Sequence, residues 1–427
     1  MTSLENPSVR SHLTRRYPPR SDSHLTRQDQ PTGLSELATA VTRARIRGFE
    51  DLYLERRAES LWRLAAGRIV ARESSLHEGA AVRRAGVLVS GDGLDRPVLA
   101  GLLGIASRTL PSFSVPRFPE APSLEHALGE LPAGWIGVRW RWSWAAVLAR
   151  RKAVTVTRPQ LAEATLADGQ RALFCWPPDT SALPESPAVQ PVTAARPGKV
   201  RVLLAPAAAT VLLHELVGHP LEADLLIQGA SPWSRRIGER IVRLPLSVTD
   251  DPTRSDLPGG FSADDEGIAA TPRPLLAEGV LVGVLADRRT AETLGVDPGN
   301  ARRAGVHSPP RPRVSNLIAT ARDLLPAPPR ADASIEVLAL ASGTLEPASG
   351  MVLLRVRTAF SLRRGTRRYV LVPFTLAGTV EAVTHGLLAA AEPSTRTFEP
   401  GWCAKDGDVV PTGGFAPWLL LEGLEVR

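Results

Sequence analysis

The chain has 427 residues, 43% of them hydrophobic and 22% charged, with a formal net charge of +7 at pH 7. That balance supports a buried core and excludes a highly charged disordered polymer, and the length suits two domains. The arginines are spread along the chain, so the basic excess does not mark a single-strand groove, and nucleic acid is not an expected partner.

Residues 1–31 are polar and basic, without the apolar segment of a secretory signal, and are expected to form a disordered tail. Residues 32–48 carry apolar side chains at helical spacing up to Gly48, which predicts a helix. Residues 50–67 fit either a second helix or a pair of strands. Strands are expected around 82–89 and 96–106. Trp140, Trp142 and Trp144 alternate within 135–156, as in strands with one aromatic face. Segment 165–190 ends in prolines and reads as a surface crossing. The first domain is therefore expected over 32–192 and the second over 198–427.

The second domain opens with a strand over 199–205. Pro206 suits the first turn of a helix, and residues 207–213 are compatible with a buried one. Strand-like runs follow at 279–286, 333–340, 351–360, 369–376 and 416–426, with turn signals at Asn300, Pro309-Pro310 and Gly413-Gly414. The pattern is α+β, with an N-terminal α/β domain and a C-terminal strand-rich, mostly antiparallel domain. Two cysteines, Cys175 and Cys403, imply no disulfide framework, and each reads first as a small buried hydrophobe. No apolar run reaches membrane-spanning length. A cytoplasmic location without a membrane partner is expected.

The densest chemistry lies in His214-Glu215-Leu216-Val217-Gly218-His219. It resembles the HExxH signature of zinc peptidases with the second histidine one residue late. At about 100° per residue, side chains five apart diverge by about 140° and cannot share an ion. A π-turn of about 4.4 residues narrows this to about 50°. Gly218 and Pro220 favour such a distortion, because proline cannot donate the usual bond back to Leu216. A widened or broken helix is therefore expected between Leu216 and Pro220. Glu215 would sit beside the first ligand as a proton shuttle. A catalytic zinc needs a third protein ligand, and Cys403, Glu222, Asp224 and His307 are the candidates.

The segment HELVGHPLEAD at 214–224 resembles the active-site motif of the TldD/PmbA family of zinc metalloproteases. Further similar strings are GASP at 229–232, VTDDPT at 248–253, DDEG at 264–267, ADRRTAETLG at 286–295, GNARRAGVHSPPRPRVSN at 299–316 and GWCAKDGDVVPTGG at 401–414. The resemblance implies Zn2+ held by His214, His219 and Cys403, with Glu215 as catalytic base. It implies an endopeptidase or processing protease acting on unfolded peptides or small, partly unfolded proteins. It also implies a homodimer, or a heterodimer with a TldE/PmbA-like paralogue. The alternative within the family is a non-catalytic partner or scaffold subunit.

The flanking residues carry narrower expectations. Glu222 and Asp224 either orient a ligand or solvate a helix end. Asp264, Asp265 and Glu266 are expected to build a turn. Arg288 and Arg289 either pair with those carboxylates or clamp substrate. Arg302, Arg303 and His307 are expected on a solvated or substrate-facing loop.

Overall fold

The computed structural model describes residues 31–129, 131–132, 134–149, 151–167, 171–178, 191–347 and 349–427. The expected tail over 1–31, apart from Pro31, lies outside these residues, as does much of the 165–190 crossing. Among the described residues the strands form a seven-stranded sheet, a 13-stranded sheet and a two-stranded ribbon.

The first helix, α1 (Leu34–Arg43), buries Leu34, Leu37, Ala38 and Val41 on one face. It stops before Gly48, because Ala44 already caps it and Arg45 turns to positive φ. The ambiguous segment that follows is strand: β1 (Phe49–Ala65) pairs with β2 (Arg68–Arg84) through a turn at Ala66-Gly67, where both residues have positive φ. A second such turn at Ala85-Gly86 leads into β3 (Val87–Asp92). The strand expected over 82–89 therefore straddles a hairpin.

The strand expected over 96–106 is instead a helix, α2 (Arg96–Leu103). Asp95 accepts a hydrogen bond from the Val98 amide, Pro97 occupies the first turn, and Gly104 closes the end in the left-handed region. The caps, together with Leu99, Ala100 and Leu103 buried at helical spacing, decide the segment. The short α3 (Leu124–Leu128) follows a proline-rich passage.

Strands β4 (Trp135–Ala149), β5 (Lys152–Thr157), β6 (Leu161–Leu166) and β7 (Arg171–Cys175) complete the sheet in the order β3-β2-β1-β4-β6-β7, with β5 also on β4. Trp140 and Trp144 are buried on one face with Trp142 half-buried between them. Cys175, at the end of β7, is half-buried and so is not the core residue expected.

The larger sheet begins with β8 (Val192–Thr193) and β9 (Gly198–Leu204). Helix α4 (Pro206–Leu213) leaves β9 and is buried at all but Ala207, as its uniformly apolar sequence requires. A π-turn and a 3-10 turn lead to α5 (Ala223–Ile227). Then come β10 (Leu246–Asp250), β11 (Arg273–Ala277), β12 (Val280–Leu281) and α6 (Arg288–Leu294). The run 279–286 keeps only two strand residues. Strands β13 (Ala301–Arg302) and β14 (Arg311–Pro312) form the ribbon.

Next are β15 (Asn316–Ala321), β16 (Leu324–Leu325), β17 (Ile335–Glu346) and β18 (Met351–Arg363). The run 369–376 divides at Val372-Pro373 into β19 (Thr366–Leu371) and β20 (Phe374–Thr379). Helix α7 (Val380–His385) precedes a long hairpin of β21 (Leu387–Lys405) and β22 (Asp408–Val426). The main path is β12-β11-β10-β15-β22-β9-β17-β18-β19-β8. Gly413-Gly414 is not a turn but lies inside β22, where α4 and β15 approach too closely for a side chain.

The sheets meet through the loops between β10 and β15. Leu257, Ile318 and Phe415 pack with Trp62 and Trp140, while Phe261, Ala263 and Val306 pack with Tyr53, Ala145 and Val147. Buried ion pairs reinforce this boundary. Arg83 bridges Asp51 and Glu266, each at 2.5 Å, and Arg158 pairs with Asp265. Asp264 accepts from the amides of Glu266, Ile268 and Ala301, so the expected turn is present. Arg288 donates its amide to Glu266 at 2.7 Å.

Arg302 and Arg303 are not solvated. Arg302 donates to the Val314 carbonyl, and Arg303 lies over the Tyr53 ring beside Asp51. Their partners are too distant in sequence for a charge run to disclose. Asp250, fully buried at the end of β10, accepts from the Ser315 amide (2.7 Å), the Ser315 hydroxyl (2.8 Å) and the Asn300 side chain (3.1 Å). It thereby anchors both ends of the Asn300–Ser315 loop.

Two outcomes follow from this packing. A Cβ at Gly414 would lie 2.5 Å from the Leu317 carbonyl oxygen and 2.6 Å from Thr210 Cγ2, whereas one at Gly101 on α2 meets nothing. Gly414→Ala should destabilise the chain by about 1–3 kcal/mol, and Gly101→Ala should stabilise it by up to about 1 kcal/mol. Urea unfolding checks both, and equal effects would refute the close packing. Burial pushes the Asp250 carboxyl from 3.8 up to about 7. Its contribution is full below about 3.8 and lost as pH rises through about 7. Against Asp250→Asn, the natural chain should lose stability between those values at up to about 1.4 kcal/mol per pH unit. Parallel pH profiles would contradict this.

Candidate metal centre

Helix α4 does not end at Leu213 but widens. Residues His214–Gly218 form a π-turn in which the His219 amide donates to the His214 carbonyl. The expected distortion is present, and it begins two residues earlier than Leu216. A 3-10 turn over His219–Leu221 follows at once. Pro220 cannot donate to the Leu216 carbonyl, and the buried Trp233 indole does so instead at 2.7 Å. Gly218 has ordinary helical φ (−67°), so its contribution is space. A Cβ there would lie 2.9 Å from Val314 Cγ2.

The widened turn brings the His214 and His219 rings to 4.6 Å between centroids, at 81° to each other. Cys403, near the end of β21, reaches the same point, with its Sγ 3.5 Å from His219 Nε2. One donor atom from each of His214, His219 and Cys403 lies within 4.8 Å of the others. Four-coordinate zinc, with bonds of about 2.0–2.3 Å, spaces its ligands by roughly 3.3–3.8 Å.

The donors also fit an ion chemically. His214 is 2% exposed, yet neither of its ring nitrogens has a hydrogen-bond partner. Leaving such a group unpaired is costly unless something else engages it. Two imidazoles and a thiol suit zinc and similar borderline ions. Burial alone would push the Cys403 thiol up, but His219 and His214 beside it hold it well below its ordinary value. Burial lowers His219, while Cys403 and Glu222 more than offset that and hold it well above. The centre thus favours a thiolate.

Charged residues surround the trio. Glu222, fully buried, meets His219 Nδ1 at 3.2 Å. Lys405 donates to Glu222 at 2.6 Å and to Asp224 at 2.8 Å. Burial raises Glu222, but His219 and Lys405 bring its carboxyl down to about 2. Arg313 donates to the Cys403 carbonyl and to its sulfur at 3.1 Å. Sequence reasoning assigned no role to Arg313 or Lys405, although both lie in the motif strings around the site. Their partners stand 90 and 183 positions away, beyond any local pattern.

Glu215 lies outside the trio. It points to β17, where its carboxylate accepts from the Leu345 amide at 3.2 Å. A Cβ on Gly343 would lie 2.7 Å from Glu215 Cγ. His307 is not near the trio's donor set. It belongs to a separate, exposed group with His77 and Asp92, which removes it as a candidate third ligand. Glu222 and Asp224 are engaged by Lys405 and do not join the trio.

A family model for the PmbA/TldA metallopeptidase C-terminal domain matches residues 197–427. A metalloprotease from Archaeoglobus fulgidus is 28% identical over 235 residues, 52% of this chain and 52% of that protein. A metalloprotease TldD homolog from Haemophilus influenzae is 28% identical over 246 residues, 55% of this chain and 49% of that protein. The chain spans about half the length of these curated relatives. The crystal structure of TldE from Thermococcus kodakarensis shares the fold, with a TM-score of 0.65 at 13% identity over 92% of this chain and all of that one. With more than half of its length covered by the family model, the chain belongs to the TldD/PmbA metalloprotease family.

Proposed function

We propose that the chain is a zinc-dependent peptidase that hydrolyses unfolded peptides or small, partly unfolded proteins. The observation that carries this reading is the convergence of His214, His219 and Cys403, with Glu215 on the same turn facing a strand edge. His214, His219 and Cys403 would hold Zn2+ and leave a fourth position open. When bound, zinc supplies Lewis acidity, polarising the scissile carbonyl and acidifying water. Glu215 takes the proton of the attacking water and returns it to the leaving amine, while the Leu345 amide holds one carboxylate oxygen in place. Glu222 orients His219 through Nδ1, and Arg313 stabilises negative charge on sulfur.

Substrate form follows from β17. It pairs with β9 only at Ile335–Val337 on the side opposite β18. Farther along, Ala341, Ser342, Thr344 and Glu346 are exposed next to Glu215. An extended peptide can add there as a strand through backbone hydrogen bonds, which admits unfolded chains and rejects folded ones. A homodimer, or a pairing with a TldE/PmbA-like paralogue, is part of this proposal. No helix among the described residues is long and apolar enough to cross a membrane. A cytoplasmic location is part of this proposal.

Glu215→Gln should keep its zinc and fold yet lose at least about 100-fold in kcat/KM on an unfolded-peptide library followed by mass spectrometry. Undiminished cleavage would place the base elsewhere, and no cleavage by the natural chain would favour the scaffold reading. Cys403→Ala should release one tightly held zinc per chain on dialysis against a mild chelator. The expected loss of affinity is at least the ~10–100-fold that removal of an outer partner costs. Full zinc retention would place the third ligand elsewhere.

A further inference from the structure

Three strands' worth of sequence meet at a second ligand group on the protein surface. His77 lies on β2 and Asp92 at the end of β3, while His307 lies in the loop between β13 and β14. The loop is held down on either side of the histidine. Arg57 donates to the Ala304 carbonyl at 2.5 Å, and the Val306 amide donates to Glu55 at 3.0 Å. His307 Nε2 is 3.2 Å from Asp92 Oδ1, and His77 Nε2 is 3.9 Å from the same oxygen. The two rings stand 6.3 Å apart. One donor atom from each residue falls within 4.8 Å of the others.

We propose that His77, Asp92 and His307 form a surface site for a first-row divalent cation of the zinc type, distinct from the buried trio. The ring orientation is the main reason. His307 Nδ1 is 2.9 Å from the Ser90 hydroxyl. With Nδ1–H donating to Ser90, the Nε2 lone pair faces a carboxylate oxygen, and a cation between two acceptors relieves their repulsion. A hydrogen-bond acceptor on the far nitrogen fixes the tautomer and ring orientation of a metal-binding imidazole, and the Ser90 hydroxyl can serve as one here. Zinc bonds of about 2.0–2.2 Å space tetrahedral ligands by about 3.3–3.6 Å; the 3.2 Å separation lies just below that range and the 3.9 Å one just above it, within the adjustment of exposed side chains. Side-chain exposures of 47%, 74% and 56% leave the site open to solvent ions. Two nitrogen ligands select zinc, nickel or copper over magnesium and calcium. A bound ion would clamp the β2–β3 hairpin to the loop that continues into Arg313.

The competing account is an imidazolium–carboxylate pair that needs no ion, and equilibrium dialysis of the full chain against Zn2+ separates the two. Asp92→Asn and His307→Asn should each bind one Zn2+ fewer per chain than the natural protein, with Mg2+ failing to compete. Because all three side chains are exposed, circular dichroism should show both variants folded. The deficit is counted as a difference, so it is read whether or not the buried trio holds zinc, and Cys403→Ala should leave it intact. Equal Zn2+ content in the natural chain and both variants, or displacement by equimolar Mg2+, would overturn the proposal.

Discussion

One hydrogen bond governs the buried centre: the His219 amide closing on the His214 carbonyl, five residues back. A regular helix would send the two imidazoles to different sides of the axis. The extra residue instead brings them edge to face, with ring centroids 4.6 Å apart. The distortion has specific supports. Pro220 blocks the normal bond, Trp233 takes the carbonyl left free, and Gly218 leaves room for Val314. The helix ahead of it is buried nearly all round, so its axis is fixed by the sheet.

The centre's electrostatics are built outward from that turn. The trio combines groups whose protonation states depend on one another. Around them Glu222, Lys405, Asp224 and Arg313 alternate in sign. Burying so many charges is tolerable only when each finds a partner. Most of these partners stand 90 to 184 positions apart in sequence, which ties the β21–β22 hairpin to the helix break. A second set of buried ion pairs, centred on Arg83, Arg158 and Arg303, holds the smaller sheet against the loops beneath.

Much of this was legible in the residues themselves. The spacing of His214 and His219 demanded a π-turn, and Gly218 with Pro220 supplied the local means. The Trp140–Trp144 alternation disclosed a strand face. Elsewhere local signals competed. Asp95, Pro97 and Gly104 cap as a helix a short apolar segment that reads as a strand between its glycines, and Gly413-Gly414 mimicked a turn while serving close packing. Arg302 and Arg303 looked solvated because their neighbours in sequence are polar, but their neighbours in space are Phe261, Tyr53 and Asp51. Ligand chemistry left Cys403 as one of four candidates to join the two histidines. Only the similarity of the surrounding string to a known motif singled it out, because contacts spanning 184 positions leave no periodic trace.

That span bears on the protein's biosynthesis. A ribosome moving from the first histidine to the cysteine must add almost two hundred residues, and β9 likewise waits for β22 to occupy its flank. Native pairing of such remote segments is slow and occurs late. A nascent chain therefore carries the helix break long before it can assemble the thiolate beside it. Whatever chemistry needs the three donors together therefore waits until translation has passed β21.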